Sequence, residues 1–446
     1  LCVDISKKAL TLDPKGKATI NNLGVAYSGN GDHNKAISLY KKAIKLYPRD
    51  YIIITNLGMA YAFTGQYMKA IPILEKAIKI EKSYSEAHYG LGKVYVETGS
   101  YAKSIESFKT ACDLKPSNIE AVKYMVHPLM YSYKFKDAWQ QYEYRWLVTE
   151  GEANREKKWP LPKTKIWARE KCNRLLLWRE QGIGDDVLAL GLIPEVQNLA
   201  KKLTIYSDKK LITLCKRSFP EITFKEYVKP IKEKNYNFHL PMGSLPRLFR
   251  QTEDDFKKTK RSYLKADPER VKAITSELGL EGKKVIGISW KSFNGSNMEN
   301  KNISLSEYHK IFEGLDVTLV NLQYGDVNKE INEFEEETGI KIVQCGSVDN
   351  REDLDGLAAL IEACDLVVST SNVTIHLAGA LGKDGCVLLS FIHNFWWLRD
   401  RDDSVWYPSI KIYRQKKFQD WTSIPGSLRS DLSKKFGVID EFVSEG

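Results

Sequence analysis

What the sequence does not contain narrows its role first. None of its 446 residues lies in an apolar run that approaches the roughly 20 residues of a membrane-spanning helix. It has no evident amphipathic membrane helix, and no signal-peptide pattern opens it. The first residue is Leu1 rather than Met, so the sequence is expected to be a fragment. Seven cysteines (Cys2, Cys112, Cys172, Cys215, Cys345, Cys364 and Cys386) are scattered, with no CxxC spacing and no clustered histidines. That pattern speaks against a disulfide framework and against a zinc site, and for a reducing cytoplasm. The lysine of a Walker phosphate loop is missing, as is any recognised nucleic-acid motif.

What is present is a folded, core-forming composition of 43% hydrophobic and 11% aromatic residues, at a length that suits two or three domains. The net charge of +10 favours anionic partners. Residues 1–150 carry 21 Lys/Arg against 14 Asp/Glu, spread singly rather than in arms or tails. Such a distribution fits a solvated helical surface better than a nucleic-acid groove.

The first third repeats. Asn22-Leu23-Gly24-x-x-Tyr27 recurs 34 residues on as Asn56-Leu57-Gly58-x-x-Tyr61, and again as Gly90-Leu91-Gly92-x-x-Tyr95. Gly31, Gly65 and Gly99 keep step, as do Ala36, Ala70 and Ser104, and Ala43, Ala77 and Ala111. This is the tetratricopeptide (TPR) pattern, one helix–turn–helix per unit. Small residues fall where two helices approach closely, and Leu/Tyr pairs at i and i+4 share one helical face. Residues 1–14 read as the second helix of a truncated preceding unit, and a degenerate fourth unit runs through Tyr131, Phe135, Ala138 and Trp146. A stack of this kind presents a groove for a peptide or protein, or else buttresses the next domain. Asn22 and Asn56 occupy equivalent first-helix positions, suited to binding a peptide backbone; Gly90 interrupts the ladder.

Residues 151–173, with Gly151, Pro160, Pro162 and a run of charges, lose the helical period and read as a linker. Beyond them apolar strands alternate with helical stretches. Strands are expected at 174–178 and 203–206, with helices at 187–201 and near 209–218. A second series has strands at 285–290, 317–322, 340–344, 366–369 and 386–390, with helices at 354–363 and 374–381. Two doubly wound parallel lobes, 174–280 and 281–446, imply a cleft with ligands at the carboxyl ends of the strands.

Three strand ends carry candidate chemistry. Gly182-Ile183-Gly184-Asp185-Asp186 lies between a strand and a helix. Glycines there let a ligand approach the backbone. Two carboxylates would repel a phosphate, so a general base beside an acceptor hydroxyl is the better use. The alternative for either aspartate is a plain helix cap. The second strand end, Ser289-Trp290-Lys291-Ser292, with Lys301 beyond it, offers cations for a phosphate leaving group, or two solvated lysines. The third, residues 369–376, ends a strand with small hydroxyl residues and opens a helix, so Ser371, Asn372 and Thr374 offer hydroxyls and amides to the cleft. His376 follows in the same helix, as a ligand contact or a core residue.

In this order the segments resemble the TPR-linked glycosyltransferases of bacteria with the GT-B fold, themselves similar to ADP-heptose heptosyltransferases. The resemblance covers nearly the whole chain. It rests on Leu-Leu-Leu-Trp-Arg-Glu-Gln-Gly-Ile-Gly-Asp (175–185), Pro-Met-Gly-Ser-Leu-Pro-Arg (241–247), Tyr-Leu-Lys-Ala-Asp-Pro (263–268) and Gly-Ile-Ser-Trp-Lys (287–291). It continues through Asn-Leu-Gln-Tyr-Gly-Asp (321–326), His-Leu-Ala-Gly-Ala-Leu-Gly (376–382) and Trp-Tyr-Pro-Ser (406–409). It implies an α plus α/β fold class, a TPR solenoid followed by a GT-B pair of Rossmann-like lobes, with the acceptor on the first lobe and the nucleotide sugar on the second.

By the same resemblance Asp185 is the catalytic base, and Gly182, Gly184, Lys291, Lys301, Ser371, Asn372, Thr374 and His376 surround the donor. Gln323 and Tyr324 contact the nucleotide or sugar. No metal or other cofactor is implied. Some members transfer a nonulosonic acid from its CMP-activated form to flagellin with inversion, and residues 321–326 look closest to those. Ser371-Asn372 stands where heptosyltransferases have Asp-Thr, and Lys291 replaces a common Arg, which counts against an ADP-heptose donor. The rival readings are a UDP- or ADP-sugar transferred to a glycan or lipid-linked acceptor, and an inactive TPR scaffold.

Overall fold

A computed structural model of the chain describes residues 2–146, 164–228, 235–293 and 301–438. It divides into two compact units, Leu1–Arg155 and Glu156–Gly446.

The first unit is a row of antiparallel helix pairs. Lys17–Gly29 packs with His33–Leu46, Tyr51–Phe63 with Tyr67–Ile80, and Ser85–Glu97 with Tyr101–Leu114. The helix Cys2–Leu12 precedes them, and the shorter helices Ile119–Tyr124, Val126–Tyr131 and Phe135–Tyr142 follow. The recurring glycines explain the pairing. A methyl group on Gly24 would sit 2.4 Å from the Tyr40 ring, one on Gly58 2.6 Å from Leu74, and one on Gly92 2.7 Å from Phe108. Each glycine is thus the hole that receives a large residue of its partner helix. Gly31, Gly65 and Gly99 turn the chain between paired helices at φ of 81°, 71° and 74°, where a side chain is strained. Gly24→Val is expected to destabilise this unit by about 2 kcal/mol through overpacking against Tyr40, measured by denaturant unfolding.

The second unit holds two parallel sheets. The first contains β1 (Lys165–Ile166), β2 (Cys172–Trp178), β3 (Ala200–Ser207), β4 (Thr223–Glu226) and β5 (Phe238–Pro241) in the order β1-β5-β2-β3-β4. The second contains β6 (Val285–Ser289), β7 (Thr318–Asn321), β8 (Ile342–Val343), β9 (Leu366–Thr370), β10 (Gly385–Leu389) and β11 (Ile410–Arg414) in the order β11-β10-β9-β6-β7-β8. Central strands are buried along their length: β6, β9 and β10 expose no residue, as befits strands covered on both faces.

Two expectations need correction. The helix expected over 187–201 is two helices, Ile183–Leu190 and Ile193–Gln197, and β3 already begins at Ala200. Pro194 lies in the first turn of the second helix, where its missing N–H removes no helical hydrogen bond. Of the expected linker, residues 151–163 lie outside the described residues, and the remainder is folded. Within it β1 pairs with β5, and Trp167 is fully buried with its indole donating to the Glu170 carbonyl at 2.8 Å.

Candidate functional site

The helix Ile183–Leu190 follows β2, and the helix Val373–Leu381 follows β9. Their starting turns line one cleft of about 370 Å³ between the two sheets. Gly182, Gly184, Asp185, Lys301, Tyr324, Ser371, Asn372 and His376, all read from the sequence as site residues, are brought together in its lining. Lys291, Gln323 and Thr374 are not in it.

The adjacent aspartates point to different places. Asp186 is buried and accepts from Arg179 Nε at 2.8 Å; Arg179 also pairs with Asp208 and donates to the Gln181 carbonyl. Asp186 therefore belongs to the interior of the first lobe. Asp185 faces the cleft. One of its oxygens caps the helix by accepting from the Gly182 amide at 3.2 Å, and the other accepts from the indole of Trp396 at 3.1 Å. Cap and cleft carboxylate are thus the same residue. Desolvation pushes its pKa up to about 6 against the pull of those two donors. The same crowding lowers the pKa of Lys301, while the charge of Asp185 pulls the other way. A carboxylate with a pKa near 6 is ionised at neutral pH and basic enough to take a proton in a transition state.

On the opposite wall the structure redistributes the expected roles. Asn372 is the N-cap of Val373–Leu381. Its carbonyl accepts from the Thr374 amide at 3.0 Å and from the Ser369 hydroxyl at 3.0 Å. Its amide donates to the Ser289 hydroxyl at 2.7 Å and to the Lys291 carbonyl at 3.1 Å. Asn372 therefore braces β6 against β9, and Thr374, fully buried, has its amide already taken. Of the helix's opening residues, Val373 lines the cleft, where its amide can meet a ligand, whereas Ile375 is fully buried.

Gln323 is likewise a brace. Its carbonyl accepts from the Ser289 hydroxyl and from the amides of Trp290 and Lys291 at 2.8–3.0 Å, and its amide donates to the Tyr324 carbonyl. Lys291 turns its ammonium onto Glu330, and Lys210, which also lines the cleft, turns its ammonium onto Glu352 and the Arg351 carbonyl; Lys301 lines the cleft as well. Tyr324 accepts from the Phe293 amide at 3.1 Å and meets the Phe293 ring edge-on at 5.4 Å. Ser371 accepts from the Trp397 indole at 2.8 Å.

His376 explains Gly184. A methyl group on Gly184 would lie 2.9 Å from the imidazole, so this glycine admits the second lobe's histidine rather than a phosphate. Burial lowers the histidine's pKa to about 4, and the ring is neutral near pH 7. Trp396 lines this wall, and Trp397 and Tyr407 are buried behind it against Ser371 and His376; none of the three was read as a site residue. The run Phe395-Trp396-Trp397 between β10 and β11 was the available signal, as was Tyr407 within Trp-Tyr-Pro-Ser.

A second cavity of about 330 Å³ shares Tyr324, Asn350 and Arg351 with the cleft and is lined further by Asn321 and Gln344. The Asn350 amide donates to the carbonyls of Asn321 and Gln323, both at 3.2 Å, which fixes its orientation. Its carbonyl oxygen is buried and meets no donor among the described residues. Asn350 stands outside every motif quoted from the sequence. No three His, Cys, Asp or Glu side chains gather as a metal site among the described residues, and no helix there is long and apolar enough to cross a membrane.

In the first unit Asn22 is exposed, and Asn56 donates to Asn21 of the preceding repeat at 2.7 Å. The two asparagines are thus equivalent in sequence but not in hydrogen bonding, and Asn56 is partly committed to its neighbour.

Tetratricopeptide repeat models match residues 18–50 and 55–119. The chain therefore carries tetratricopeptide repeats, followed by a domain of parallel sheets. Protein FlbA of Caulobacter vibrioides is 29% identical over 320 residues, which is 66% of this chain and 52% of that protein. The match is longer than the first unit, so part of it lies in the α/β unit; the chain spans about half the length of that relative. Among solved structures, MamA from Desulfovibrio magneticus is 23% identical at a TM-score of 0.28, over 34% of this chain and 84% of that one. A thermophilic TPR protein of Thermus thermophilus is 18% identical at a TM-score of 0.32, over 35% and 86%. At those TM-scores neither likeness carries an argument about function.

Proposed function

We propose that the α/β unit is a GT-B type glycosyltransferase that moves a sugar from a nucleotide donor to a Ser or Thr hydroxyl of a protein. A nonulosonic acid from a CMP-activated donor, transferred to flagellin with inversion, is the favoured case. The observation that carries this reading is the division of the cleft. The first lobe contributes a carboxylate raised to about 6, and the second contributes a helix start, with Lys301 beside it.

In that arrangement Asp185 takes the proton of the acceptor hydroxyl as its oxygen bonds to the anomeric carbon. The bond from that carbon to the donor phosphate breaks, and the phosphate leaves with the electron pair. Lys301 and the amide of Val373, both at the cleft, stabilise the charge that develops there. The nucleobase extends into the adjoining cavity, which Asn321, Gln344 and Asn350 line. Recognition of the acceptor protein falls to the TPR repeats, which present a groove of the kind that binds peptides.

Two measurements test this reading. Saturating CMP is expected to raise the melting temperature of the purified chain by mass action, about 2.7 kcal/mol at 100 times its Kd, and more than CDP, UDP, GDP or ADP. Preference for UDP or ADP changes the donor, and no response to any nucleotide favours an inactive scaffold. Within the site, Lys301→Ala is expected to weaken CMP binding about tenfold through loss of a charge-assisted contact. Lys291→Ala, whose ammonium is held by Glu330, is expected to change it little. Equal losses from the two variants would contradict the assignment of the phosphate to Lys301.

A further inference from the structure

Val25, Met59 and Lys93 hold the same place in three successive repeats, 34 residues apart, each three residues after Asn22, Asn56 and Gly90. A spacing of three puts each on the same helical face as the asparagine or glycine before it. Val25 is 51% exposed, and Met59 and Lys93 are half-buried. Gly90 interrupts the asparagine ladder for a steric reason, since a methyl group on it would lie 2.7 Å from the Met59 sulfur. The first helices of the second and third repeats thus touch along this face.

Lys93 places a cation in an otherwise apolar row, and aromatic rings surround it. Its Nζ lies 5.0 Å from the centre of the Phe63 ring, 5.6 Å from that of Tyr89 and 4.8 Å from that of Tyr124. Phe63 closes the helix Tyr51–Phe63, Tyr89 belongs to the helix of Lys93 itself, and Tyr124 closes the helix Ile119–Tyr124. Three successive repeats therefore build one slot. His33 stacks on Phe63 at 4.9 Å, and His127 stacks on Tyr124 at 5.8 Å, so the aromatic floor continues on both sides. Phe63 is still 46% exposed.

Ring faces attract a cation but take no hydrogen bond of the strength a carboxylate accepts. Among the described residues the Lys93 ammonium donates to no oxygen and has no carboxylate at ion-pair distance. The acidic groups whose charge reaches it are Glu97, one turn on in the same helix, and Glu120, which pairs with Lys123 at 3.9 Å. Burial lowers the Lys93 pKa against the pull of both. The excess of 21 Lys/Arg over 14 Asp/Glu in residues 1–150 favours an acidic partner in the same sense. One ammonium on an apolar floor matches one carboxylate flanked by apolar side chains.

We propose that Lys93, with Phe63, Tyr89 and Tyr124, anchors a peptide-docking surface and takes the carboxylate of an Asp or Glu whose neighbours in the partner segment are apolar or aromatic. That a protein segment lies on the repeats belongs to the transferase reading, and the acidic anchor rests on it.

The test is retention of a library of short peptides, randomised at every position and capped at both ends, on the immobilised full chain. Capping leaves side chains as the source of carboxylates. Asp and Glu are expected to be enriched severalfold over Asn and Gln beside an apolar or aromatic residue. A selected glutamate peptide is expected to bind about tenfold more tightly than its glutamine counterpart. Lys93→Met should abolish both differences while keeping the melting temperature, because Met59 already fills the equivalent place one repeat earlier. Lys93→Arg, which keeps the charge and stacks on rings, should retain them.

Peptides retained without acidic preference, or a preference that survives Lys93→Met, overturn the anchor and leave the repeats as a peptide-binding surface. A library that is not retained at all overturns the anchor together with the role given to the repeats. Stabilisation of the same chain by CMP then reports separately on the α/β unit.

Discussion

Asp185→Asn is expected to lower the single-turnover rate of sugar transfer by about 10²–10⁴-fold, the range a positioned base contributes, and to leave stabilisation by CMP intact. Asparagine keeps the shape of the side chain but cannot take a proton, and its single carbonyl oxygen can accept from the Gly182 amide or the Trp396 indole, not from both. Near-normal chemistry in this variant would remove Asp185 from the role.

The pH dependence adds a second readout. Desolvation raises the Asp185 pKa from 3.8 to about 6, so the basic form fills as pH rises through about 6. The rate is expected to fall on the acid side with that midpoint, and the limb should vanish in Asp185→Asn. Stability runs the other way. A carboxyl whose pKa is raised by folding holds its proton more tightly in the native state. It favours the fold at low pH, and that advantage is lost as pH climbs from about 4 to about 6. Asp185→Asn removes this pH dependence, and it is expected to cost about 1 kcal/mol for the one hydrogen bond that it cannot accept.

Arg179→Ala is expected to have a larger effect, destabilising the α/β unit by about 3–5 kcal/mol, the cost of stranding a buried partner. Arg179 holds Asp186, which is 2% exposed, together with Asp208 and the Gln181 carbonyl. Its removal leaves Asp186 charged without a partner inside the lobe, or forces it to take up a proton. Denaturant unfolding of the two variants side by side separates the adjacent aspartates. A cost below about 1 kcal/mol, typical of an exposed ion pair, would mean that Asp186 reaches solvent.

The repeats were legible because their physics is local and recurs. A glycine opposite Tyr40, Leu74 or Phe108 every 34 residues announces both helices and their spacing. The turn at 182–185 and the strands β2, β6 and β9 were legible because an apolar run ends abruptly in glycine or small hydroxyl residues. Two-residue strands such as β1 show no period, and β4, β5 and β11 carried no turn signal strong enough to mark them. Side-chain direction was the larger gap. Lys291, Gln323, Asn372 and Thr374 have residue types fit for a ligand. Which way each turns depends on partners far along the chain: Glu330 for Lys291, and Ser289 for both Gln323 and Asn372. Asn350 and Tyr407 act through contacts that no spacing in the sequence encodes.

The most direct test of the central claim is the intact mass of purified flagellin after incubation with the chain and a CMP-activated nonulosonic acid, with wild type and Asp185→Asn run in parallel. The account predicts added mass equal to one or more nonulosonic-acid residues on Ser or Thr with the wild type, and none in the same time with the variant. Flagellin left unmodified by a chain that binds the donor, or modified equally well by Asp185→Asn, would contradict it.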